Sequence, residues 1–192
     1  MSGRNTFLAR VNVVVSPTFF SWVFQWEGRV KIKSPAEVLE KYREMIGKAW
    51  EISTIREWLN NEFFETAFSA EEQGRIPTTL VTAEDNYEDR VDAGNDTADK
   101  VFLLSVSEVE TYFPSNESQM CGATEYAIAK GAYTYNSQLV EGQPPCFWWL
   151  RSPGASTFWV MRVNTLGGIF NGGNVTDVRE GVRPAMWINI GS

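Results

Sequence analysis

Helix-start signals crowd into the first two thirds of this chain and stop before residue 146, after which bulky strand-like runs alternate with glycine turns. Ser34-Pro35-Ala36-Glu37 supplies an N-cap, a proline at the first helical position and a glutamate three residues on, the elements of a capping box. The apolar residues Val38, Leu39, Tyr42, Met45 and Ile46 fall on one face, and Gly47 is a terminator, so a helix is expected here. Thr54-Ile55-Arg56-Glu57 reads as a second box, opening a helix through Ile55, Trp58, Leu59 and Phe63 towards Phe68. Ser69-Ala70-Glu71-Glu72 opens a third helix, ended by Gly74, and short helices are expected after Ser107 and Thr124. Strand-like alternation covers FLARVNVVV, FFSWVFQW and RVKIK in residues 1–33, TTLVT at 78–82, VFLLS at 101–105 and most of 146–192. Capped helices first and short strands later predict an α+β fold with an irregular, loop-rich sheet.

The 192 residues suffice for one generous domain with a real core, and neither a repeat nor a low-complexity tract interrupts them. Aromatic residues are unusually frequent, with eight Trp, six Tyr and twelve Phe. That load suits tight irregular packing or a binding surface built from large rings. With a net charge of −7 and no run of Lys or Arg longer than two, the chain offers nucleic acid no electrostatic footprint, so no nucleic-acid partner is expected. The apolar run Val13-Val14-Val15 is cut by Ser16-Pro17, too short for a signal core or a membrane span. The sequence therefore reads as a soluble chain without membrane insertion or an export signal of its own.

Histidine is absent. This removes Ser-His-Asp and Cys-His nucleophile activation, histidine acid–base work and HExxH zinc sites. No GxxxxGK[ST] or strand-linked GxGxxG cradle for phosphate occurs. Seven carboxylates lie in Glu84–Asp99. They do not follow the alternate-ligand spacing of an EF-hand, so calcium rests on charge density alone and a solvated acidic loop is expected, with no cofactor and no metal. Cys121 and Cys146 read either as two buried thiols or as a disulfide closing a loop of about 25 residues. Arg151 and Arg183, set in hydrophobic runs, are expected to serve backbone carbonyls or core acids.

The stretch 147–173, FWWLRSPGASTFWVMRVNTLGGIFNGG, carries two aromatic clusters separated by turn residues. Its blocks Trp148-Trp149-Leu150-Arg151-Ser152-Pro153-Gly154, Val163-Asn164-x-x-Gly167 and Gly181-Val182-Arg183-Pro184-Ala185-Met186-Trp187-Ile188 resemble the DUF6273 domain of bacteria and their phages. So, in the same order, do Ile55-Arg56-Glu57-Trp58-Leu59-Asn60, Ala67-Phe68-Ser69, Asn95 to Ser105 and Thr124-Glu125-Tyr126-Ala127. The pattern is also similar to domains of the C-type lectin fold, in the formylglycine-generating-enzyme branch. That resemblance implies a small twisted antiparallel sheet, two main helices and long irregular loops. It further implies a lectin-like domain over 46–192, with residues 1–45 as an oligomerisation or attachment element. Some proteins of that branch are diversified by retroelements in their C-terminal loops. Here the scaffold motifs keep the family pattern, whereas the positions between them depart from it. By that resemblance the binding residues are Ser156, Thr157, Phe158, Trp159, Met161, Arg162, Thr165, Leu166, Phe170, Asn171, Asn174, Asp177, Arg179 and Glu180. The expected function is non-enzymatic binding of a protein or glycan on a cell surface, by a virion-associated or bacterial-surface protein that could form homo-oligomers. The alternatives are an enzyme of the formylglycine-generating branch and a structural decoration domain without a specific ligand. The first aromatic cluster should then be core and the second should face a partner.

Overall fold

The computed structural model describes residues 6–10, 50–86, 88–135, 139–156, 158–175, 177 and 179–189. The expected meander beyond residue 10 and the helix expected from Ser34 lie outside the described residues. Within them the chain is mixed, with short helices and antiparallel strands.

Strand β1, Thr6–Arg10, pairs antiparallel with the last strand, β7, Ala185–Asn189. The N-terminal residues are thereby tied to the C-terminal end of the domain. Helix α1, Thr54–Trp58, runs into a π-helical turn, Leu59–Phe63, and then into α2, Phe64–Ala67. Its cap is Ser53 rather than the expected Thr54: Ser53 has extended backbone angles and its hydroxyl accepts the Arg56 amide at 3.3 Å, the arrangement that satisfies an orphan N–H of the first turn. The continuous helical stretch buries Leu59, Phe63 and Phe64. Helix α3, Ala70–Arg75, begins in the expected Ser69/Glu72 capping box.

Strands β2, Thr79–Val81, and β3, Thr97–Asp99, form a small antiparallel pair. The buried run Val101–Ser105, expected as a strand, is not one. Its backbone groups are claimed from several directions: Asn60 takes the Val101 amide and carbonyl, Phe102 makes a lone bridge to Ala185, and the Leu103 and Leu104 carbonyls accept from Arg151. These partners answer the demand that buried backbone polar groups be paired, but no single neighbour supplies a ladder. Helix α4, Val106–Tyr112, starts from Ser105 with Glu108 completing the capping box, two residues before the expected Ser107. Helix α5, Asn116–Gln119, and helix α6, Glu125–Ala129, follow, the latter capped by Thr124 as its sequence predicts.

The C-terminal region holds a three-stranded antiparallel sheet in the order β4 (Trp148–Pro153), β5 (Trp159–Val163), β6 (Ile169–Asn174). Arg151 knots β4 to the rest of the domain. Its guanidinium donates to the Leu103 carbonyl at 2.8 Å and to the Thr82 carbonyl, and it pairs with Glu108. Glu108 meanwhile accepts the Ser105 amide that starts α4. Arg151 thus serves both carbonyls and an acid. Arg183 lies over the Phe113 and Trp148 rings, each 4.7 Å from its guanidinium carbon. Trp148, fully buried, donates its indole N–H to the Gln119 carbonyl at 3.1 Å. Around it pack Phe102, Phe113, Leu103, Leu150, Val109 and Val163.

The acidic stretch Glu84–Asp99 is organised by its own amides. Asp85 accepts the Ala93 amide, Asp92 that of Gly94 and Asp96 that of Ala83, while Glu84 binds the Ser105 and Ser107 hydroxyls. Buried Asp99 accepts from Trp50, Thr97 and Arg56. These carboxylates spend their lone pairs on loop structure, and no group of three or more metal-ligating side chains occurs among the described residues. Nor is any helix among those residues long and apolar enough to cross a membrane. Cys121 and Cys146 are both buried, and neither is in a disulfide.

Candidate functional site

The pairing of β4, β5 and β6 separates the aromatic residues into rows. Trp148, Val163 and Ile169 stand opposite one another, and this row faces the core, with Trp148 and Val163 fully buried. One residue along, Trp149, Arg162 and Phe170 form the next row, which alternation turns to the outer face. A register shift between Val160 and Arg162 marks a bulge at this point. Gly173 makes the outer face possible: a Cβ there would stand 2.3 Å from the Trp149 ring and 3.1 Å from the Arg162 side chain. Only a residue without a side chain lets the Trp149 ring lie across the sheet.

On this face a line of rings and charge is assembled. The Tyr133 and Phe147 rings are 5.5 Å apart, the Arg162 guanidinium lies 4.5 Å from Phe147, and it lies 5.4 Å from Phe170. Such cation–ring contacts contribute about 0.5–2 kcal/mol each, more when desolvated. Arg162 also pairs with Glu180, which is only 4% exposed. Burial pushes the Glu180 carboxyl up to about 7, outweighing the opposing charge and hydrogen bond of Arg162. Arg162 Nε and Glu180 Oε2 are buried without hydrogen-bond partners among the described residues. Beside them Arg179 grips Asp177 through two nitrogens at 3.0 and 2.9 Å. The hydrogen bond from Arg179 holds the Asp177 carboxyl below its usual value. The Arg179 carbonyl accepts the Tyr133 amide at 2.9 Å, joining the 177–180 segment to the tyrosine.

The residues expected to bind are distributed unevenly. Phe158, Trp159, Leu166, Phe170, Asn171, Asn174 and Arg179 are exposed; Ser156, Met161, Arg162 and Asp177 are half-buried; Thr165 and Glu180 are buried. Thr157 lies outside the described residues. Phe170 is 50% exposed, Phe158 43% and Trp159 38%, large values for rings that a core would hide. They do not form one patch. Trp159 pairs with Asn174 one residue from the Val160–Gly173 pair, so it points to the sheet face opposite Arg162 and Phe170. Phe158 sits in the preceding turn, where its carbonyl accepts the Val175 amide at 3.2 Å. Leu166 occupies the tip of the β5–β6 turn, which Asn164 holds by accepting the Leu166 and Gly168 amides at 2.9 and 3.0 Å.

Tyr133 and Phe147 belong to the outer face and were not among the residues singled out from the sequence. Phe147 is masked there by its place in an apolar run. Tyr133 did leave a signal, since Tyr133 and Tyr135 alternate after Gly131, and both are exposed. The face offers ring surface and internally compensated charges. The buried thiol of Cys146, next to Phe147 in sequence, is pushed up by its hydrogen bond with Cys121 and by burial, the reverse of what nucleophilic chemistry requires.

The family model described as "Domain of unknown function (DUF6273)" matches residues 12–190. Neither a curated protein nor a solved structure matches the chain.

Proposed function

The chain belongs to the DUF6273 family, and from that premise we propose that it is a non-enzymatic binding module, presenting its β4–β6 sheet face and loops to a partner. The observation that carries this reading is the contrast in burial within one stretch: Trp148 is fully buried while Phe158, Trp159 and Phe170 keep between 38% and 50% of their surface in water. Exposing that much aromatic surface has no folding benefit, and large rings left in water on a sheet face and in its loops are suited to desolvated contact with a partner. A scaffold of the C-type lectin kind, with a small sheet and long irregular loops, accounts for the short strands, the bulges and the turns held by side chains. Retroelement diversification would account for changes confined to residues between the motifs. A bacterial or virion surface is the setting in which such a module would be used, on a protein or glycan ligand.

Replacing Phe158 and Trp159 together by serine tests the binding reading. The variant should melt with the wild type yet lose retention on intact bacterial cells or on a glycan array to which the wild type binds. Undiminished retention would rule against it. For diversification, the flanking DNA should carry a near-repeat of the codons for 147–185 beside a reverse transcriptase gene, and a flank without such a repeat would sink that part.

A further inference from the structure

Cys121 and Cys146 face each other across an antiparallel bridge. The Ala123 amide donates to the Pro144 carbonyl and the Cys146 amide to the Cys121 carbonyl, both at 2.9 Å, on either side of the Gly122–Pro145 bridge. This register places the two cysteines directly opposite. Opposed residues of a hydrogen-bonded antiparallel pair have Cα atoms about 5.5 Å apart, within the spacing a disulfide spans. Opposed side chains also share a face. Both residues are buried, and the Cys146 thiol is hydrogen-bonded to Cys121. The segment between them carries α6 and Tyr133, and Cys146 directly precedes Phe147, the partner of Tyr133 on the outer face.

We propose that Cys121 and Cys146 are a modification site, a dithiol that a disulfide oxidant closes into a cross-strand bridge stapling the Tyr133-bearing segment to the start of β4. One cysteine, as thiolate, attacks a sulfur of glutathione disulfide and displaces one glutathione thiolate. The second cysteine then attacks the mixed disulfide and displaces the other. The protein loses two S–H bonds and gains one S–S bond, while the S–S bond of glutathione disulfide breaks. The two electrons reduce that disulfide, and the two protons pass through solvent to the two displaced glutathione thiolates, giving two glutathiones. In the folded chain both thiols are shielded, so closure proceeds during folding or when the 121–146 segment opens.

The test is refolding of the full chain from denaturant in a reduced and oxidised glutathione buffer, followed by intact mass and non-reducing peptide mapping. The expected product has lost two hydrogens, has peptides containing Cys121 and Cys146 joined within one molecule, and melts roughly 6–12 °C above the reduced chain, as closing a loop of about 25 residues should give. Folded reduced protein in the same buffer should form the bridge far more slowly. Reduction should leave the melting of Cys121→Ser unchanged. Recovery of both thiols unmodified, glutathione retained on either cysteine, bridges between molecules, or an oxidised form that melts no higher than the reduced one would each overturn the proposal.

Discussion

Glu180→Gln should stabilise the protein above neutral pH and change it little in mild acid. The Glu180 carboxyl is raised from its ordinary 4.5 to about 7 by burial. A group whose folded pKa exceeds its unfolded value contributes stability that is full below the unfolded value and is lost as pH rises through the folded one, so the relevant window runs from about pH 4.5 to about pH 7. A displacement of about 2.5 in pKa, at 1.36 kcal/mol per unit, corresponds to about 3 kcal/mol over the whole window and about 2 to 3 kcal/mol between roughly pH 5 and pH 8. Glutamine imitates the protonated acid. Removing one member of a buried ion pair is commonly costly because the other charge is stranded. Here Arg162 keeps contact with water, its side chain being 18% exposed, and it retains the Phe147 and Phe170 ring faces. Urea unfolding of both proteins at the two pH values supplies the difference directly, and other titrating groups largely cancel in the subtraction. A variant advantage growing by about 2 to 3 kcal/mol from acid to alkaline pH is expected. A pH-independent difference, or a loss that deepens with pH, would refute the view that desolvation dominates at Glu180.

The burial contrast predicts opposite outcomes for two tryptophans: Trp148→Ala should cost about 3–5 kcal/mol in chemical denaturation, whereas Trp159→Ser should remain within about 0.5 kcal/mol of wild type. Gly167→Ala should lower the melting temperature, with a loss of about 2 kcal/mol or more. Gly167 has φ of +83° and its missing Cβ would overlap the Asn116 carbonyl oxygen at 1.7 Å. An unchanged melting curve would contradict that packing.

Local chemistry made the helix starts readable. Ser69 with Glu72 and Thr124 ahead of α6 behave as their spacing implies. Ser53 and Ser105 displaced Thr54 and Ser107 because several hydroxyl residues stand close together and only backbone angles choose among them. Val101–Ser105 misled because apolarity reports burial rather than the source of hydrogen-bond partners, and those partners are Asn60, Ala185 and Arg151, all distant in sequence. The family resemblance put Phe147, Trp148 and Trp149 in the core and Phe158 and Trp159 in water; Trp148 is buried and Phe158 and Trp159 are exposed, but Phe147 and Trp149 are half-buried and belong to the outer face, because neighbouring strand residues alternate in direction. That Trp159 and Phe170 point to opposite faces was not legible, since a bulge shifts the register between them. Arg162 and Glu180, eighteen positions apart, meet only through the fold, and the same holds for Tyr133 beside Phe147.

Hydroxyl-radical footprinting of the wild-type chain, alone and retained on intact bacterial cells, tests the binding face most directly. The account predicts protection at Tyr133 and Phe170 on the outer face and at Phe158 in the β4–β5 turn, with Leu80, exposed on β2, labelled equally in both states. Protection of Leu80 with those three rings left unchanged would contradict it.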